Sequence, residues 1–460
     1  MNHYDAVIIG AGIAGLGVAG LLQGRGLKTV VLEKSKTPGG RSKTYELPGG
    51  WKVDTGTHCV DLGKYSACAT LLRKLGKEIA WSRNLEGFMF YDGGTWKPMT
   101  EYLALSPKEI RKLAEMENWI RQTGDEEIDA LDNVSLTKFI EEKVSSPRIA
   151  EFVKTVGMVQ TTLTEADIIS AGEFVAIYRD SLRLSSRNNF PFDNVRMPVG
   201  GIATMIGAMA EAYTEWGGAL LPGTPVRRVN VKLGGLMEAV TDNETFRAPV
   251  AVIAAPIWHM LKVLSMEEMS GFVPEWTVRM RGFERETSAS MGFTIGTKAP
   301  LFTSPCYLSA RRLPDMDLPL QILGHSLFDD TIAPPGHMVA FMGACCTPAQ
   351  AIDKDFREKT LAAFWELLKK MFPSMEADLL WKHDGFYVGI DGLSRSPGMT
   401  GRYRPPVYLP EVPGLYFAGD CYTGRGVGMN AAANSAMICA DTILKQFNTT
   451  TKTIRKEESQ

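Results

Sequence analysis

The stretch YDAVIIGAGIAGLGVAGLLQGRGLKTVVLEK, residues 4–34, constrains the fold more than any other part of the chain. Ala6 to Ile9 form an uninterrupted apolar run, as in a strand covered on both faces of a parallel sheet. Gly10, Gly12 and Gly15 follow in G-x-G-x-x-G order, and a helix-length apolar segment comes next. Gly10 permits the tight turn, Gly12 lets the backbone approach a pyrophosphate, and Gly15 lets helix and strand pack closely. The helix start at Ile13 and Ala14 offers free N–H groups and the positive dipole end to phosphates. A second strand, Thr29 to Leu32, ends at Glu33, whose carboxylate can accept from the ribose hydroxyls of an adenosine. Together these parts specify a βαβ dinucleotide corner. They also account for the longest apolar stretch, Val7 to Leu22, which lacks the basic flank and cleavage site of a signal peptide. No other segment is long enough to span a bilayer.

The grammar returns near the other end of the chain, in GLYFAGDCYTGRGVGMNAAANSAM (residues 414–437). Leu415 to Ala418 read as a buried strand, Gly419-Asp420 close it, and Gly424, Gly426 and Gly428 let the chain pass close to a flat ring. A helix rich in small residues follows, with Ala431, Ala432, Ala433 and Ser435 on one face.

Composition narrows the function classes. The 460 residues hold about three domains' worth of material. A net charge of -2 argues against a general nucleic-acid binder. Seven cysteines without a CxxC pair suggest neither a disulfide framework nor a zinc site, and Cys345-Cys346 read as packing thiols. His259, His325 and His337 show no metal-ligand spacing, so no metal is expected. A reducing cytoplasm is the expected location.

After the second strand, KSKTPGGRSKT supplies Gly39, Gly40 and Arg41, and WKVDTGTHCV supplies Asp54, Gly56, Thr57 and His58. These segments and the C-terminal corner resemble those of the FAD-dependent amine oxidase and phytoene desaturase superfamily. The resemblance implies FAD, with Arg41 and its glycines extending the diphosphate site. It places Lys34 and Glu33 beside the ribose, and Gly56, Thr57 and His58 on a strand near the isoalloxazine ring. FAD is too long for one βαβ unit, and the C-terminal corner anchors its flavin end. There Asp420 accepts from ribityl hydroxyls, and Gly419, Gly428, Met429 and Ala432 approach the ring. The helix N-terminus points at the flavin edge that becomes negative on reduction. MPVGGIATMIGAMAEAYTEWGGALLPGTPVRRV, residues 197–229, is similar to the superfamily's second nucleotide segment, in which Val226 contacts the adenine through its backbone. APVAVIAAP, residues 248–256, resembles the last strand of the nucleotide half.

The expected class is α/β with an α+β substrate part. A Rossmann-type FAD-binding domain (1–85, 191–270 and 401–446) is interleaved with a substrate domain, and 447–460 is a polar, frayed tail. That substrate domain has a helical cap (86–190) over a sheet and helix (271–400). In the cap, Ser106-Pro107 and Glu109 form a helix-start signature, with Ile110, Leu113, Met116 and Ile120 at helical spacing. Thr360 to Met375 read as an amphipathic helix that presents Leu361, Phe364, Trp365 and Leu368, either to the sheet or to a membrane surface.

The resemblance implies hydride removal from carbon, with flavin as acceptor. Superfamily amine oxidases carry a lysine in the strand near flavin N5; ETSASMGFTIGT has none, and Lys298 falls at its end. FDDTIAPPGHMVAF and the segment from Asp391 to Asp420 look more like the phytoene desaturase and retinol saturase-like branch. A desaturase-type dehydrogenase of a hydrophobic, apolar or cyclic small molecule is expected, passing electrons to oxygen, a quinone or another carrier. The alternatives are a flavin-dependent saturase, an amine oxidase, and an FAD-binding protein without catalysis. His58 is a candidate acid or base, or else a core histidine. Tyr403 and Arg395 are candidates for meeting a substrate carbonyl or carboxylate, or else loop anchors.

Overall fold

The computed structural model describes residues 3–55, 59–185, 192, 194–310 and 318–457, with side chains to residue 447. The first βαβ unit consists of β1 (Ala6–Ile9), α1 (Ile13–Gln23) and β2 (Thr29–Glu33). A hairpin, β3 (Lys43–Leu47) and β4 (Trp51–Thr55), and helix α2 (Ala67–Lys74) come next. Strands β5 (Phe88–Asp92) and β6 (Thr95–Pro98) precede the cap helices. These are α3 (Met99–Tyr102), α4 (Pro107–Gln122), α5 (Asp125–Leu131), α6 (Leu136–Lys143), α7 (Pro147–Thr161) and α8 (Ala171–Leu184). The chain returns to the nucleotide region with α9 (Ala203–Glu215), β7 (Ala219–Pro222), β8 (Val226–Asn230), β9 (Met237–Thr241), β10 (Thr245–Ala248) and β11 (Val250–Ile253). Helices α10 (Ile257–Val263), α11 (Met266–Ser270) and α12 (Pro274–Gly282) lead to strands β12 (Thr287–Thr297), β13 (Tyr307–Ala310), β14 (Leu320–Gly324) and β15 (Met338–Cys346). Helices α13 (Pro348–Ile352), α14 (Lys354–Met371) and α15 (Met375–Asp378), strand β16 (Leu379–Leu393), strand β17 (Leu415–Phe417) and helix α16 (Gly428–Glu457) complete the order.

Five strands make a parallel sheet in the order β17-β11-β1-β2-β7. Ile9 pairs with Ile253, and Ile253 with Phe417. The two glycine corners therefore leave the same edge of one sheet, two strands or roughly 10 Å apart. β11 is internal rather than last, because β17 pairs beyond it. Packing of α1 against α16 depends on small residues: a Cβ on Gly17 would come within 3.1 Å of that of Ala436.

The second large sheet runs β16-β12-β15-β14-β13-β5-β6. β5 and β6 come from the segment read as part of the helical cap. Gly93 and Gly94, at φ 58° and 96°, form the tight turn that makes Phe88–Pro98 a hairpin instead. α14 buries Leu361, Phe364 and Leu368 against this sheet, and Trp365 meets Phe293 edge-on at 5.5 Å. Its apolar face is thus covered by the chain's own sheet. Among the described residues no helix is long and apolar enough to cross a membrane.

In the cap, Ser106 and Glu109 form the reciprocal capping box of α4, at 2.9 and 3.3 Å. Leu113 and Ile120 are buried and Met116 is partly buried, whereas Ile110 is 47% exposed. α16 is helical to Glu457, so the backbone of the tail read as frayed continues the helix.

Candidate functional site

A cleft opens along the edge where β1, β11 and β17 end. Gly10, Gly12, Ile13 and Ala14 line it from the first corner, with Glu33, Lys34, Gly40 and Arg41 beside them. Val226 lines it from β8, and Gly419, Asp420, Gly428, Met429 and Ala432 from the second corner. Gly15 lies beneath: a Cβ there would sit 1.8 Å from the Gly10 carbonyl oxygen, so only glycine lets α1 meet β1 this closely. Gly56, Thr57 and His58 lie outside the described residues.

The first corner is held by its own residues. Glu33 is 4% exposed, and its two oxygens accept from the N–H groups of Ala11 and Ser35, each at 2.8 Å. A carboxylate has about four acceptor positions, so capacity remains for a hydroxyl in the cleft. A Cβ on Gly12 would have its nearest neighbour, the Gly39 carbonyl oxygen, at 3.9 Å. The space beside Gly12 is therefore open on the cleft side, where the first N–H groups of α1 have no intrahelical acceptor. A buried acid at the ribose position, open glycines and free helix donors fit the ADP half of FAD.

Arg41 crosses the cleft from the Gly40 turn to the second corner. Its guanidinium donates to Asp420 at 2.6 Å and to the carbonyls of Gly389 and Ile390 in β16. Asp420 is 4% exposed, and its carboxylate packs on Gly392, where a Cβ would come within 2.4 Å. The start of α16, with Gly428, Met429 and Ala432, forms the end wall.

Asp54, on the hairpin read as approaching the ring, accepts from Thr44 at 2.5 Å and from the Ile202 N–H at 3.0 Å, tying the hairpin to the start of α9, while Thr55 beside it lines the cleft. Burial pushes its carboxyl up to about 6.

A second space lies between the β12–β15 sheet and the cap, in contact with α7 and with residues 59–61. Counting the parts open to solvent, its empty volume is ≈ 1280 Å³, against ≈ 2120 Å³ for the cleft. Phe88, Phe192, Leu323, Phe328 and Phe341 give it mainly apolar walls. Ile390 and Met429 line both spaces, so the cavity abuts the second-corner end of the cleft. Asp61 and Asp391 line the cavity; burial and the Asp391 charge push Asp61 up to about 6, and burial together with the Asp420 charge raises Asp391. Thr162 donates to Asp391. On β12 the cavity-lining residue is Ser290, while Lys298 is 56% exposed and pairs with Asp378 at 3.4 Å. Cys345 also lines the cavity, and burial raises its thiol; all seven cysteines are free.

Arg395 and Tyr403 do not line the cavity. Arg395 is 1% exposed and donates to the carbonyls of Asp391, Leu393 and Gly426. The Tyr403 hydroxyl accepts from Arg402 at 3.0 Å, and its carbonyl accepts from Arg279. These contacts hold Arg395 through Nε and Nη1 to main chain, its Nη2 having no partner among the described residues, and hold Tyr403 to two neighbouring arginines.

Sequence reasoning missed three supports of the second corner. Arg404 is buried and donates to the carbonyls of Asp420 and Leu393. Arg425 reaches the cap, pairing with Asp129 at 2.5 Å, Asp132 at 2.9 Å and Glu173 at 3.4 Å. Glu173 also accepts from the Gly426 N–H at 2.9 Å. The one available hint was an arginine inside a glycine-rich loop. Among the described residues no cluster of potential metal ligands occurs.

Comparison with known proteins agrees with this geometry. The model of the flavin containing amine oxidoreductase family matches residues 13–444. Prolycopene isomerase of Daucus carota is 22% identical over 95% of this chain and 80% of its own length. The flavin-containing amine oxidase of Oncorhynchus mykiss is 25% identical over 91% and 81%. The solved structure of an oxidoreductase from Methanosarcina mazei superposes with a TM-score of 0.75 at 18% identity, covering 95% of this chain and 99% of that one. The chain belongs to the flavin containing amine oxidoreductase family and is an FAD-dependent oxidoreductase.

Proposed function

We propose that cleft and cavity form one reaction site, in which an apolar or cyclic small molecule loses a hydride from a C–H bond. The observation that carries this reading is the shared wall: Ile390 and Met429 belong to both spaces. A molecule in the cavity then lies against the flavin end of the cleft. The flavin supplies the hydride acceptor at its N5.

The chain's residues bind, orient and exclude water. Gly12, Ile13 and Ala14 would hold the diphosphate through main-chain N–H groups, with Gly40 and Arg41 beside them. Glu33 and Lys34 would face the adenosine ribose, and the Val226 main chain the adenine. Asp420 would accept from the ribityl chain, and the start of α16 would face the ring. The apolar cavity walls would hold the substrate body and keep water from the reacting carbon.

Desaturation or dehydrogenation is favoured over amine oxidation by Ser290, which stands on β12 where it lines the cavity, and by the remote position of Lys298. Electrons would pass on to oxygen, a quinone or another carrier. A saturase would use the same residues in reverse.

The test is anaerobic mixing of the holoenzyme with cyclic ketones, enones, isoprenoids and amines. Bleaching of the oxidised flavin band by a non-amine is expected. Bleaching by amines alone would move the assignment to amine oxidation; bleaching by no member of a broad panel would move it to a binding protein.

A further inference from the structure

At the cavity end of α7 the chain holds a polar group in an unusual state. Gln160 is 6% exposed and lines the cavity, yet neither its amide nitrogen nor its amide oxygen has a partner among the described residues. Buried amides are almost always bonded, because each one withdrawn from water without a partner costs its full desolvation. The neighbouring backbone is strained. Thr162, the C-cap just after α7, has φ 56° and ψ 25°, the left-handed region that a β-branched residue avoids. It is fixed there by donating to the buried Asp391. Strain and unmet polarity at one cavity wall, both pinned by surrounding structure, mark a site shaped for a ligand rather than for stability.

We propose that Gln160 recognises an uncharged oxygen-bearing group, a carbonyl or hydroxyl, on the substrate close to the reacting carbon. The inference rests on the reading that the cavity holds a substrate for hydride removal. Closeness to the reacting carbon follows from the chain: Gln160 is two residues from Thr162, which bonds Asp391, itself next to the Ile390 shared with the cleft. A hydroxyl can both accept from the amide N–H and donate to the amide oxygen, and a carbonyl can accept. Among the charged side chains lining the cavity, Asp61 and Asp391 outnumber Arg196, whose Nη1 donates to the Ser82 carbonyl, so an anionic group is disfavoured. A hydrocarbon without a polar atom would leave the amide buried and unpaired, so the site discriminates against it.

The holoenzyme is titrated with menthone, menthol, p-menthane and menthylamine, which share one ring skeleton, and binding is read from perturbation of the flavin absorbance. Menthone or menthol should bind about tenfold more tightly than p-menthane, and Gln160→Leu should remove that difference, about 1.4 kcal/mol. An unchanged ratio in the variant overturns the assignment of Gln160, as does equal binding of p-menthane by the natural protein or binding of none of the four. Tightest binding of menthylamine together with flavin reduction by it overturns instead the reading on which the inference rests. Thermal unfolding keeps a structural role separable. Gln160→Leu should melt at or above the natural holoenzyme, since it removes an unpaired buried amide. A fall of several degrees would show that Gln160 bonds within the fold and would also overturn the proposal.

Discussion

The two corners share an edge of one sheet but are fastened in opposite ways. In the first, the loop is held by a residue only 22 positions away, through the Ala11 N–H on Glu33. In the second, Arg425 pairs with carboxylates 293 and 252 positions away, on the cap side. Buried Arg395 and Arg404 add bonds to loop carbonyls. The first corner is therefore held within the parallel sheet, apart from Arg41, which reaches Asp420 and β16. The flavin end is a joint property of sheet and cap, so whatever moves the substrate region also bears on the flavin loop.

Arg425→Ala should break that contrast most severely. It leaves Asp132 and Glu173, both fully buried, without their cation, a loss of about 3–5 kcal/mol for an uncompensated buried charge. Thermal unfolding should shift down by many degrees, with flavin released early; an unmoved melting temperature would show that the clasp does not hold the corner.

Gly15→Ala tests the local corner. Its Cβ would meet the Gly10 carbonyl, so α1 must withdraw from β1, at about 1–3 kcal/mol for overpacking. Affinity for FAD and for ADP should fall together. A fall in FAD affinity alone would mean that Gly15 supports the flavin end.

Asp61 gives a pH-dependent effect of similar size. Its folded-state pKa, raised from 3.8 to about 6, means that the protonated form is favoured on folding. Its contribution is full below pH 3.8 and is lost as pH rises through 6. Asp61→Asn should therefore match the natural protein at pH 4 and exceed its stability by ~1–3 kcal/mol at pH 7. Chemical denaturation at the two pH values checks this, and a variant less stable at pH 7 would reverse the sign.

The smallest effect is expected from Lys298→Ala. An exposed pair such as Lys298–Asp378 contributes about 0–1 kcal/mol, and flavin reduction by the preferred substrate should be unchanged. A large loss of reduction rate would restore the amine oxidase reading.

What could be read from sequence follows the same division. Gly10, Gly12, Gly15 and Glu33 act within one βαβ unit, so spacing alone reveals them. The Ser106–Glu109 box and the α14 face are equally local. The Gly93-Gly94 turn between aromatic runs was a legible hairpin cue, outweighed by the helical pattern after it. β16 was harder, since as an edge strand it mixes Lys382, His383 and Asp384 with Gly385 and Gly389. Arg395, Arg404 and Arg425 could not be placed, because their acceptors are carbonyls and distant carboxylates that come together only in the fold. Gln160 carried no cue either: a glutamine late in a helix reads as a solvated position until the cavity beside it is seen.

The central claim is that both corners hold one ligand. Apoprotein titrated calorimetrically with FAD and with ADP, natural and Asp420→Ala, tests it most directly. Loss of a charge-assisted acceptor, about 1.5–3 kcal/mol, should weaken FAD roughly tenfold to a hundredfold, and ADP, which meets Asp420 only through Arg41, by less. Equal weakening of both ligands, or of neither, would contradict it.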